Sequence, residues 1–314
     1  MKKFTKFYLG LFYMAIVFLF GCNKSSIPEY RTRISKELTD AMLKVGDLHN
    51  QGLNKFSLEK QDYIKNLKFH KPGKAKQISN LSTVENTSNE ANVIGELIEE
   101  TRTYFIQYTQ TSLPEVSFPN SIFDSLAFLP TEFYINPNDL SSTYIIESSP
   151  IVLSQNFITL TDQLIYFAST ANSISEFNSL ADGILVNADI NLSNNTEFYA
   201  IAMGVAVGKS SYAYWHTQAN IDYWNSIIST YSNNSIQSNQ IRSNSEFSFN
   251  DDLKAMATSD LAGAIRGGIM GGTIGSIGGP AGTFSGAIGG AFYTGLRAST
   301  LAGAWRIAKK YFQW

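Results

Sequence analysis

Apolar residues recur at spacings of three and four over much of this chain, the periodicity of an amphipathic helix. Ile34, Leu38, Ala41, Met42, Val45 and Leu48 form one such stripe, and Val93, Ile94, Leu97, Ile98, Tyr104, Phe105 and Tyr108 form a second. Between them, Lys71-Pro72-Gly73-Lys74 and a stretch rich in Asn, Ser and Thr predict a loop, with Ser88 or Asn89 placed to cap the following helix. The pattern breaks over 113–150, which holds Pro114, Pro119, Pro130, Pro137 and Pro150. This predicts a long irregular segment pinned by aromatic anchors such as Phe118, Phe123 and Phe133. Helical periodicity returns over about 153–180 and 196–231. The predominantly Ser, Asn and Gln segment 232–250 then reads as a linker, and Asn250, followed by Asp251 and Asp252, suits a new helix start.

The last 64 residues differ from everything before them. Fourteen of the chain's 23 glycines fall between Gly263 and Gly303. Gly263, Gly267, Gly271, Gly275 and Gly279 are each four apart, as are Gly278, Gly282, Gly286 and Gly290. That spacing places them along one helical face, a groove into which another backbone can settle. Each glycine costs an exposed helix about 1 kcal/mol relative to alanine, so a helix with this many has to be packed in the protein, against copies of itself, or in lipid. Pro280 divides the stretch into two arms, about 251–278 and 281–312, which suggests a helical hairpin, one kinked helix being the alternative. The expected fold class is therefore all-α: a helical body with a C-terminal glycine-rich hairpin and a long irregular Pro-containing segment. The expected segments are a signal at 1–21, a tether at 22–29, a helical body at 30–231, a polar linker at 232–250 and the hairpin at 251–314.

Lys2, Lys3 and Lys6 followed by an apolar run from Tyr8 to Phe20 and then Gly21-Cys22 have the layout of a secretory signal, too short for a membrane span. These residues resemble a bacterial lipoprotein signal. The resemblance implies export, acylation of Cys22 (a palmitate-type anchor) and attachment to the cell envelope, with the outer membrane expected. Cys22 is the only cysteine, which leaves no disulfide or Cys-based metal site for the mature chain.

Charge changes the picture further. The net charge of −2 hides an acidic body and a tail with five basic residues and no acid beyond Leu261. The acidic body argues against nucleic acid as a partner, whereas a cationic apolar tail is drawn to anionic lipid or to the body itself. Arg297, Trp305, Arg306, Lys309, Lys310 and Trp314 have the composition of a membrane-interface anchor.

The segment from Gly263 to Gly303 resembles the glycine-zipper helices of small two-peptide bacteriocins and of glycine-zipper envelope lipoproteins, and "VGDLHNQGLNKF", Val45 to Phe56, is similar to a motif of uncharacterised bacterial lipoproteins with such tails. The first resemblance implies helix association within a membrane, with bacteriocin-like permeabilisation among its outcomes. Catalytic chemistry has little support. His49, His70 and His216 lack metal-ligand spacing; Glu96, Glu99 and Glu100 read as a solvated face; Asp47 to Asn50 reads as helix–helix hydrogen bonding; and Gly204 to Ser211 lacks the spacing of a phosphate-binding loop. No cofactor or metal is expected. Two readings stay open: a non-enzymatic lipid-anchored envelope protein whose glycine stripe packs helices in a membrane or self-assembles, and a tethered binding or scaffold module with the hairpin buried as core.

Overall fold

A computed structural model describes residues 32–60, 85–116, 123, 125–126, 129, 133, 140–147, 149–224, 226 and 252–312, with the side chains of 85–97 and 307–312 outside the description. The expected signal, Cys22 and the tether, with the 71–84 loop, the 232–250 linker, Phe118 and Trp314, lie outside the described residues. The described chain is all-α, without strands. Its helices are α1 (Lys36–Glu59), α2 (Glu85–Ser112), α3 (Ser142–Ile146), α4 (Gln155–Thr170), α5 (Ile174–Asn191), α6 (Asn195–Trp215), α7 (Asp252–Gly275) and α8 (Gly279–Phe312), the last two joined by a single 3₁₀ turn, Ser276–Gly278.

Lys36–Trp314 forms one compact unit. The expected division between a body and a hairpin domain therefore marks a change of composition and not of packing, because α6 and the hairpin share one core.

Several boundaries differ from the sequence expectation. Ser88 and Asn89 fall inside α2, which begins at Glu85. The single helix expected over 153–180 is two: Ala171 adopts ψ 143 and ends α4, and the Ser173 hydroxyl accepts the Glu176 N–H at 3.1 Å to start α5, which runs on to Asn191. The helix expected over 196–231 ends α6 at Trp215, and a turn at His216 precedes further helix over 218–224. A continuous apolar pattern conceals such breaks, because both flanking helices bury residues on the same core.

Side-chain contacts fix how the helices run. Asn50 Nδ2 donates to Ser210 O at 3.0 Å and Tyr214 Oη donates to Asn54 Oδ1 at 2.6 Å, so α1 and α6 run parallel. α5 is antiparallel to α6, with Phe177 stacked on Tyr212 (ring centroids 4.7 Å apart) and Lys209 paired with Asp182 at 2.8 Å. α2 lies antiparallel to α1 through the Phe56–Phe105 stack and the bond from Tyr108 Oη to Leu48 O. In the proline-rich segment Phe123 and Phe133 are fully buried, and the Ser259 hydroxyl donates to Phe133 O.

Candidate functional site

The site singled out by the sequence is the glycine-faced hairpin, and its two arms meet backbone to backbone. Gly267 faces Gly290, Gly271 faces Gly286 and Gly275 faces Gly282. A Cβ placed on any of the six would lie within 3.0 Å of the opposite carbonyl oxygen. A spacing of four on two antiparallel helices puts one glycine pair at each successive turn. Without side chains the Cα hydrogens can approach opposing carbonyls, a weak contact that recurs where helix backbones are this close. Gly263 ends the row, where a Cβ would meet Thr294 O and the Ala298 methyl.

Gly279 departs from the expectation. It has φ 76° and nothing within 4 Å of an added Cβ, so it belongs to the turn and not to the packed face. Here glycine's freedom to adopt positive φ is what matters.

The outer faces of the arms are also covered. Leu261 and Ile265 of α7 project onto Gly208 and Gly204 of α6, and Ala200 fits against Gly268. The glycines of the supposed phosphate-loop-like stretch thus act as notches for α7. Ile265, Ile269, Ile288 and Phe292 are buried, whereas Ile274 and Phe284 are partly exposed and Ile277 in the turn is 91 % exposed. An all-round apolar helix requires an all-round apolar environment, and the body supplies it.

Buried polar groups bind this hairpin to the body. Asp260 of α7 is fully buried; its Oδ2 accepts hydrogen bonds from the Ser211 hydroxyl and from Trp215 Nε1 at 3.3 Å, and lies 3.6 Å from His49 Nε2. Asn50, oriented by its bond to Ser210 O, points Oδ1 at His49 Nδ1, 3.2 Å away. The imidazole thus has an oxygen near each nitrogen, Asn50 Oδ1 at one and Asp260 Oδ2 at the other. His49 and Asn50 therefore make the helix–helix contacts expected of them, while Asp47 is exposed. The order Ser211–Asp260–His49 differs from a nucleophile–base arrangement, in which the imidazole and not the carboxylate holds the hydroxyl proton. Beside it, Trp224 Nε1 donates to Tyr214 Oη at 3.0 Å, and burial raises the Tyr214 phenol.

The expected membrane-interface residues are distributed differently. Arg297 is fully buried, donating to Ile98 O at 3.3 Å with its guanidinium 5.5 Å from the Tyr293 ring. This corrects its expected interfacial position: α8 passes through the middle of the bundle, and the aliphatic stem packs there. Arg266, 2 % exposed on the opposite arm, has its pKa pushed down to about 10, first by burial and then by the charge of Arg297. Trp305 and Arg306 are partly exposed, and Arg306 pairs with Asp252 at 3.0 Å, tying the two arms together at their open end. The side chains of Lys309 and Lys310 lie outside the described residues.

Among the described residues no group of His, Cys, Asp and Glu side chains could hold a metal ion, and no helix is long and apolar enough to cross a membrane. No protein-family model, no curated protein and no solved structure matches this chain.

Proposed function

We propose that this protein is a lipid-anchored, non-enzymatic module of the cell envelope, held at a membrane by acylated Cys22, with the glycine-faced hairpin as the core of a helical binding or scaffold body. The observation that carries this reading is the double occupation of the hairpin. Each arm's glycine face is filled by the other arm, and its outer face is covered by α6 and its neighbours. Insertion of the arms into lipid, or their use in self-assembly, would first require opening this contact and removing Asp260, Arg266 and Arg297 from their buried surroundings, at several kcal/mol per charge left without its partners.

The test is amide exchange on the acylated full-length chain, in detergent-free solution and on anionic vesicles, together with release of a trapped dye. Equal protection of α7 and α8 in both states with no dye release is the expected result. Loss of protection in the hairpin on vesicles, accompanied by leakage, would favour membrane permeabilisation instead. Replacing Cys22 by Ser should move the chain out of the membrane fraction.

A further inference from the structure

The two ends of the bundle differ in chemistry. One end gathers the hairpin turn, the start of α4, the end of α5 and the start of α6. Thr196 sits against Gly272, Ser154 bonds to Glu197, and Asn156 Nδ2 donates to Asn191 O at 3.1 Å. None of residues 149–156, 190–196 and 273–285, which build this end, is charged, in a chain with 16 % charged residues. Large apolar side chains stand out from it: Val152 is 97 % exposed, Ile277 91 % and Ile190 57 %. Among the described residues, Asp189 and Glu197 flank these segments but are buried, and the exposed charges nearest in sequence and register are Glu147, Lys36 and Glu37. The opposite end is charged and paired, with Lys55–Glu59 at 3.8 Å, Lys60 on Glu100, and Arg306 on Asp252.

The uncharged end is also where the chain enters the bundle. Because α1 runs parallel to α6, with Gly46 beside Ala206 and Ser210 and Asn54 bonded to Tyr214, its first residue, Lys36, lies level with the start of α6. Thirteen residues lie between Cys22 and Lys36. A chain of that length with random-coil statistics would have an end-to-end distance of about 20 Å, less than the ~31 Å length of α6. An anchor at Cys22 thus raises the local concentration of a lipid surface chiefly at this end.

We infer that this end, with Ile277 and Val152 at its apex, is a lipid-docking surface that seats the bundle upright on the membrane holding Cys22, leaving the charged end facing away. This orientation rests on the anchored reading above. Because the end is uncharged, docking uses apolar contact and responds little to salt.

Acylation occupies the only native thiol, so a single introduced cysteine can carry a polarity-sensitive dye. Ile277→Cys, Val152→Cys and, in the last turn of α1, the 63 % exposed Leu58→Cys would be labelled in the acylated full-length chain and placed on phosphatidylcholine vesicles containing a lipid-phase quencher. The expected result is a blue shift and at least twofold quenching at 277 and 152, none at 58, unchanged in high salt. Water-like signals at 277 and 152 equal to that at 58 would overturn the docking, as would a blue shift that appears without vesicles and grows with protein concentration, the mark of a second copy covering this end. Fractionation of Cys22→Ser separates the two claims. If that variant leaves the membrane while 277 still reads water in the acylated chain, docking alone fails. If it stays on the membrane as wild type does, the anchor fails, and the dye at 277 still reports on docking.

Discussion

Gly271 and Gly286 face one another so closely that a Cβ on either would fall within 3.0 Å of the other's carbonyl oxygen. Neither backbone can yield without parting the hairpin, so Gly271→Ala or Gly286→Ala is expected to lose about 2–3 kcal/mol despite alanine's better helix propensity. Gly183 in α5 has nothing within 4 Å of an added Cβ, and Gly183→Ala is expected to gain about 0.5–1 kcal/mol. Urea unfolding of the three variants measures both signs; stabilisation by Gly271→Ala would mean the arms do not touch.

The turn glycines separate geometry from space. Both Gly278 and Gly279 have open surroundings, but only Gly279 has positive φ. Gly279→Ala is expected to cost about 1 kcal/mol and Gly278→Ala close to nothing, read as thermal midpoints.

Asp260 joins three helices through Ser211, Trp215 and His49. Asp260→Ala leaves those groups buried without their acceptor and is expected to cost about 3–5 kcal/mol, with a change in tryptophan emission from Trp215. A double-mutant cycle with His49→Ala should show a coupling above about 0.5 kcal/mol; additivity would deny the contact.

Glu197, 2 % exposed at the start of α6, accepts from the Ser154 N–H at 2.6 Å and its hydroxyl at 2.8 Å. Glu197→Ala is expected to cost about 2 kcal/mol and to loosen the first turn of α4, measured as faster amide exchange at residues 155–158.

Tyr212 donates to Ala171 O at 2.6 Å, and its pKa is pushed up to about 12, first by burial and then by the charge of Glu176. A phenol raised in the folded state contributes stability that is complete below its unfolded value of 10.0 and is lost as pH rises through about 12. Stability is therefore expected to fall between pH 10 and 12, and Tyr212→Phe should make that decline shallower, the raised Tyr104, Tyr108 and Tyr214 phenols supplying the rest. An identical decline in the variant would assign it to other groups.

The all-α class and the hairpin face were legible in the sequence because both depend on local periodicity: apolar stripes at three and four, and glycines at four on either side of Pro280. The glycines of α6 gave no comparable signal. Gly204 and Gly208 act as notches only because Ile265 and Leu261, more than fifty residues away in the chain, project onto them. Arg297 reads as a surface cation beside Trp305 and Arg306, yet it is buried, since one helix carries both a bundle-crossing segment and a paired, partly exposed end.

By itself the sequence determined that the chain is helical and that two of its helices must approach within backbone contact, because helical pitch and the missing side chains are properties of neighbouring residues. Tertiary structure alone decided what covers the hairpin, what joins His49 to Asp260 and which end of the bundle gathers the uncharged described segments. Those outcomes depend on where distant helices are brought together, and no local spacing encodes that arrangement.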